Sequence, residues 1–421
     1  MKLKLKAEHF FLPGIFLLYI IMQFNFYSAR GVLVGILAIV YVVLYKKKLN
    51  KIRLNNISIW FNILMLYLTI ITAIGYANDN IQNIYYYINN CINLFVIGGI
   101  SIYIISSKEN IRSFYVFIRA LTVFLIFFGI IEYLTRQNFT LRFIDSNSYY
   151  QDYLKVKGRI FSIFQHPIGY AVYLNTAFVI SLIYPFKKKG YDILYKIVII
   201  INIYLTQSRT ALVALIIAFV LSKVLNSAQI RKTQKKKYIS RNKIIIFGIF
   251  GLIVLVLCLL NYKYISAIFA NIYSSITSKF SMKDQGVRLG ILKNYVLYLK
   301  RMNIRQIIFG KGVGYSYNWM RCNGVPSNMG VWTETTDNMY ITMLLDGGIL
   351  AVIIFLWLPF NVIKKMFKNK EMSKEQLIGC INIFLISFEI FLLEGLFWNT
   401  IFFIFALSIS SVFIEDNKIE S

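Results

Sequence analysis

The chain has 421 residues, of which 58% are hydrophobic, 17% aromatic and only 15% charged. A water-soluble domain needs roughly a quarter of its residues charged. A soluble enzyme, a disordered chain and a disulfide-rich secreted module are therefore excluded, and a polytopic membrane protein is expected. The 46 Lys and Arg against 18 Asp and Glu give a net charge of +28, which in a membrane protein marks cytoplasmic loops rather than a nucleic-acid partner.

A bilayer core about 30 Å thick takes roughly 20 residues of apolar helix. In chain order the predicted spans are 10–28, 31–45, 57–76, 85–105, 113–134, 168–186, 193–207, 210–226, 244–262, 339–360, 377–394 and 396–414. The first follows Lys2, Lys4 and Lys6 but lacks a small-residue cleavage site, so it is expected to be retained. The pair 193–207 and 210–226 is short and reads as tilted partners or a re-entrant pair. Of the four cysteines, at 91, 258, 322 and 380, only Cys322 lies in a long polar loop, so no internal disulfide is expected there.

The connecting segments sort by charge. One side receives Lys2, Lys4 and Lys6, the run Lys46 to Lys48, Lys187 to Lys189, seven basic residues in 227–243 and five in 361–376. That side is expected to be cytoplasmic, with both termini. Two long loops, 135–167 and 263–338, then fall outside; together they carry 15 Lys and Arg, an excess that points to an anionic ligand at the outer face. The resulting layout is 1–134 (spans one to five), 135–167 (outer loop), 168–262 (spans six to nine), 263–338 (large outer loop) and 339–421 (the last three spans with a cytoplasmic tail). In the large loop, Ile265 to Ile276 and Leu289 to Leu299 repeat apolar residues at helical spacing, as helices lying on a membrane surface do.

Arg119, Lys196 and Lys223 fall near cytoplasmic span ends and are expected to snorkel to the interface. Glu132, near an outer end, is expected in water. Asp346 and Glu389 lie deeper, with Glu394 at the outer rim. A charge at the bilayer centre costs about 2.5–3.5 kcal/mol, so these three are expected to face a polar cavity. Asp346 and Glu389 read equally as functional groups and as partners of a working arginine.

Three passages on the outer side stand apart. Residues 158–171 contain Gly158-Arg159 and, before the sixth span, His166-Pro167. Residues 205–211, Leu-Thr-Gln-Ser-Arg-Thr-Ala, place Arg209 at the tip between spans seven and eight. The third passage runs from Arg288 through Gly310-Lys-Gly-Val-Gly314 to Asp337-Asn338 and Asp346-Gly-Gly348. In this order they resemble the O-antigen polymerase/O-antigen ligase superfamily, integral membrane glycosyltransferases of GT-C type that handle lipid-diphosphate-linked glycans. The resemblance covers about residues 158–360. It implies an all-α membrane protein of about 12 transmembrane helices with a large extracytoplasmic loop. Ligases of the family place a histidine before the Asn, as proposed base for the acceptor hydroxyl. Here that position is Asp337, and neither His9 nor His166 fills it. The resemblance therefore leans towards Wzy-type polymerases.

The chemistry suits these residues. A glycan on undecaprenyl diphosphate departs as a diphosphate, and guanidinium groups bind phosphate oxygens in pairs. No Asp-x-Asp appears in the outer loops, so arginine is expected to replace a metal, with no cofactor. Arg209 and Arg288 are the expected catalytic cations. Asp337 is expected either to accept the acceptor proton or to cap the tenth span. The substrate-contacting set is Arg159, His166, Gly312, Gly314, Asn338, Glu389 and Glu394; His166 reads equally as a polar cap, and Arg159 and Arg288 as head-group contacts. The glycines give a flexible turn through which backbone could approach the lipid phosphate, not a nucleotide site, since no GK[ST] follows.

The expected function is a polysaccharide (O-antigen, capsule or exopolysaccharide) polymerase in the bacterial cytoplasmic membrane. Its partners would be lipid-linked glycan, membrane lipids, a chain-length regulator and a flippase. The alternatives are a ligase moving finished glycan to a lipid or wall acceptor, and a lipid-linked oligosaccharide flippase or transporter. Against the last, no internal repeat of the kind transporters carry is found.

Overall fold

The computed structural model describes residues 6–21, 30–49, 56–77, 99–140, 154, 158–164, 166–233, 294–323, 336, 338–368, 372–390 and 399–412. Among them every regular element is a helix. A single 3₁₀ turn, Ala7–Phe10, leads into α1 (Phe11–Ile21). There follow α2 (Arg30–Leu49), α3 (Asn56–Ala77), α4 (Gly99–Ile105), α5 (Lys108–Thr135), α6 (Pro167–Ile183), α7 (Lys189–Leu205) and α8 (Arg209–Thr233). Past these lie α9 (Ile304–Phe309), α10 (Tyr315–Asn323), α11 (Met339–Lys368), α12 (Lys374–Glu389) and α13 (Asn399–Val412).

Eleven of the predicted spans fall wholly or partly on these helices; 244–262 lies outside the described residues. By length and apolar composition, two described helices suffice to cross a bilayer, Lys108–Thr135 and Met339–Met366, with shorter apolar helices beside them. The chain is a membrane protein, and its surface says why. Phe127 is 63% exposed, Val43 70% and Leu134 73%, on helices that also carry buried side chains such as Tyr41 and Ile118. Large apolar side chains turned outward in number mark a surface that meets a membrane or a partner.

Local chemistry sets the helix ends. Ser107 caps α5 by accepting from Asn110 N–H (3.2 Å). Ser373 and Gln376 form a reciprocal capping box on α12. Helix α8 runs past its predicted end through Lys and Gln residues that favour helix. Helix α11 continues to Lys368 although Pro359 lies inside it.

The chain divides into two compact units. One comprises Met1–Asn226, Ile304–Tyr315 and Asn338–Ser421; the other, Ser227–Asn303 and Ser316–Asp337. The first is a helical bundle whose centre is aromatic. Phe16 of α1, Phe114 of α5, Tyr173 of α6 and Phe403 of α13 converge, with Phe16 and Phe403 ring centres 5.1 Å apart and Phe114 and Phe403 5.4 Å apart. In the second unit residues 294–299 are helical, and Tyr295 and Tyr298 pack on Trp319 of α10. The apolar repeat 265–276 lies outside the described residues.

The three in-span cations each have a neighbour of their own. The Arg119 guanidinium lies 3.7 Å from the centre of the Phe186 ring. Lys196 is ion-paired with Asp192, one turn before it. Lys223 rests over the Phe219 ring at 5.6 Å.

Candidate functional site

The site is built on the turn joining α7 to α8. Thr206 Oγ accepts from Ser208 N–H (3.3 Å), and Gln207 adopts a left-handed φ of 53° to complete the reversal. Ser208 Oγ accepts from Ala211 N–H (3.4 Å), making Ser208 the N-cap of α8. In Ser208-Arg209-Thr210-Ala211, then, the serine starts the helix and Arg209 occupies its first position. A cation is disfavoured at a helix N-terminus by about 0.3–1 kcal/mol.

Arg159 belongs to the same corner. Its Nε donates to Thr206 O (2.9 Å), and Ile160 N–H donates to Leu205 O (3.3 Å). The segment 158–160 therefore runs along the tip that carries Arg209. Gly158 takes a left-handed φ of 63°, a conformation a side chain adopts only under strain. Beyond Arg159 the chain turns at Ser162, itself at φ 53°.

That turn is gripped by Glu132 at the end of α5. Its Oε2 accepts from Ser162 N–H (2.7 Å), and its Oε1 from Phe161 N–H (3.2 Å) and Asn138 Nδ2 (2.9 Å). Asn138 also donates to Ser162 O (2.6 Å). The expectation of a water-exposed Glu132 is corrected: it is 1% exposed, and three N–H donors stand where water would.

His166 is the N-cap of α6, the polar-cap alternative read from the sequence. Its Nδ1 accepts from Ile168 N–H (3.2 Å), with Pro167 at the first helical position. Burial first, then the nearby Arg159 charge, pushes its pKa down to about 3. The ring is neutral at physiological pH, and because Nδ1 accepts, its proton sits on Nε2. It can donate to an anion and is too weak a base to take a proton.

At the start of α11 the cap is Asn338. Its Oδ1 accepts from Tyr340 N–H (2.9 Å) and Ile341 N–H (3.2 Å). The capping role weighed for Asp337 thus has another holder. Asp337, Arg288 and Glu394 lie outside the described residues, as does the Arg209 side chain. Tyr340 OH donates to Ser387 O (3.0 Å), tying α11 to α12. Glu389, two residues on, accepts from Asn175 Nδ2 (2.7 Å), which also donates to Ala211 O in the first turn of α8 (3.1 Å). Glu389 is 1% exposed, so it faces this buried amide rather than an open cavity.

The glycine turn has its own engagement. Gly348 takes φ 66° and ψ −170°, which breaks α11 and leaves carbonyls without helical partners. Residues 311–314 take them up. Lys311 N–H donates to Leu345 O (3.1 Å), Gly312 N–H to Asp346 O (2.7 Å), and Gly314 N–H to the Asp346 carboxylate (3.1 Å). Helix α3 closes the joint: Tyr67 OH lies 2.8 Å from Gly347 O, and Thr72 Oγ accepts from Val313 N–H (2.9 Å). The N–H groups of Gly312 and Gly314 are thus directed at α11, and Asp346, 1% exposed, faces this turn rather than a cavity. The charged group the turn presents is Lys311, whose ammonium lies 3.0 Å from Tyr315 OH.

The structure thus brings Arg159, His166 and the backbone of Arg209 to one corner. Glu389 joins it through Asn175, which bonds Ala211 O, whereas Asn338 Oδ1 bonds within α11. Sequence reasoning singles out neither Asn175 nor Thr206, and it places Glu132 in water; a polar Asn175 amid apolar residues 168–183 is the available signal. Among the described residues, Glu8, His9 and Glu109 could place ligand atoms within 4.8 Å of one another. His9 Nδ1 accepts from Lys6 N–H, so its proton is on Nε2, facing Glu109 (3.8 Å). In that tautomer the ring offers no lone pair to a cation.

A comparison with curated proteins finds no match. A family model described as O-antigen ligase matches residues 194–356, from α7 through the Arg209 tip and the glycine turn into α11. Residues 194–356 thus match the O-antigen ligase family model, and the chain resembles the O-antigen polymerase and ligase superfamily by motif order and by family match alike.

Proposed function

We propose that the protein is a polysaccharide polymerase, a multi-pass glycosyltransferase of the bacterial cytoplasmic membrane. It joins undecaprenyl-diphosphate-linked repeat units at the outer face. The acceptor sugar hydroxyl attacks the anomeric carbon of the donor glycan; the bond to the diphosphate breaks, and the lipid diphosphate leaves with the electron pair. Arg209, Arg288 and Arg159 hold that diphosphate in place of a metal. His166 donates from Nε2, and Asp337 receives the hydroxyl proton. The observation that carries this reading is the anchoring of Arg159 on the turn that opens α8 with Arg209.

A ligase is the second reading, favoured by the description of the matching family. Asp337 in the place of the ligases' histidine favours the polymerase. The lipid-linked glycan pool of a deletion strain separates them. Accumulation of single repeat units on lipid is the expected result. Long unattached chains would mean a lost ligase, and accumulation at the inner leaflet a lost flippase.

A further inference from the structure

We infer that Glu132 is a positioning residue for Arg159, acting through the 158–164 turn; this rests on the proposed diphosphate-binding role of Arg159. The turn is held on two sides. On one, Arg159 Nε and Ile160 N–H bond to the carbonyls of Thr206 and Leu205. On the other, Glu132 takes Phe161 N–H and Ser162 N–H, two and three residues beyond Arg159. Between them Ser162 holds a left-handed backbone that serine leaves unless its surroundings enforce it.

The choice of a carboxylate follows from the donors it meets. Both oxygens of Glu132 face N–H groups, two on Oε1 and one on Oε2. A glutamine of the same shape would aim its NH₂ at an N–H and lose at least one bond. Asn138 completes the grip, since its one amide reaches both Glu132 Oε1 and Ser162 O. A buried carboxylate is an expensive way to secure a loop, because its water must be replaced bond for bond. Its return is a fixed backbone immediately after the arginine. Small misplacements of a charge-binding group cost turnover steeply.

The test is a double-mutant cycle on turnover with the full chain in lipid nanodiscs. The probe is the undecaprenyl-diphosphate-linked repeat unit extracted from a strain deleted for this protein. Glu132→Gln is expected to lower kcat/KM about 10- to 100-fold. In an Arg159→Ala background the same change is expected to have less than about a twofold effect, because Glu132 acts through Arg159. Loss by the same factor in both backgrounds would show a merely structural role and overturn the inference, as would full activity of Glu132→Gln. If Glu132→Gln does not accumulate in the membrane, Asn138→Ala replaces it in the cycle, with the same non-additivity expected and the same additive result decisive against. Wild type that makes no polymer from this donor removes the polymerase reading, and the inference falls with it. Polymer from wild type with an additive cycle removes the inference alone.

Discussion

Gly348→Ala probes the joint between the glycine turn and α11. The new side chain would meet a backbone of φ 66° and ψ −170°, open in practice only to glycine, and its Cβ would press into the Ile308 carbonyl. The conformational part costs about 1–3 kcal/mol. Pushing Ile308 away also loosens the bonds of Lys311, Gly312 and Gly314 to residues 345 and 346, each worth about 0.5–1.5 kcal/mol net. Together the loss is about 3–6 kcal/mol. Thermal unfolding of the detergent-solubilised protein should show a clear drop in midpoint. Gly190→Ala, where an added Cβ meets nothing within 4 Å, serves as control and should melt like wild type. Equal midpoints for the two variants would refute the account of the joint.

Arg209→Lys and Arg288→Lys keep the charge but lose the planar fork, so both are expected to insert normally and lose most polymer; near-normal polymer length, read on a gel, would make them interfacial anchors. Asp337→Asn should leave expression intact, since Asn338 caps α11, and cut turnover by roughly two to four orders of magnitude if the carboxylate takes the proton; full-rate polymer would move the base elsewhere. His166 binds fewer protons folded than unfolded between its pKa of about 3 and the ordinary 6.5, so it makes stability fall as pH drops through that window. His166→Asn keeps a capping oxygen and should flatten the acid side of a melting-temperature series. Cys322 should react with an impermeant thiol reagent on intact cells or spheroplasts; protection until the membrane is permeabilised would contradict an extracytoplasmic 263–338.

Much of this was readable beforehand because the strongest sequence signals are local. Apolar runs such as 57–76 and 168–186 became α3 and α6 with ends displaced by only a few residues, and His166-Pro167 announced a helix start. The Gly310–Gly314 run was readable as a turn, but not its docking partner. That depends on Gly348, some 35 residues later, breaking α11 and releasing carbonyls to it. Glu132 was misjudged for a related reason. Its position near a span end suggests water, whereas its donors come from residues 138, 161 and 162, folded back over it. Asn338 caps α11 because its Oδ1 reaches the N–H groups of Tyr340 and Ile341, and the geometry of one residue, not composition, decides that.

The fastening of Gly314 to Asp346 also changes the polymer statistics of the chain. The hydrogen bond from Gly314 N–H to the Asp346 carboxylate closes a ring of 33 residues, 314–346, which carries Asp337. Closure entropy scales as three-halves of RT times the logarithm of loop length, so doubling that ring by insertion costs about 0.6 kcal/mol more to bring to order. That cost falls on the stretch holding the proposed proton acceptor. Insertions upstream of α9 should therefore be tolerated by activity better than insertions of equal length between α10 and Asp337.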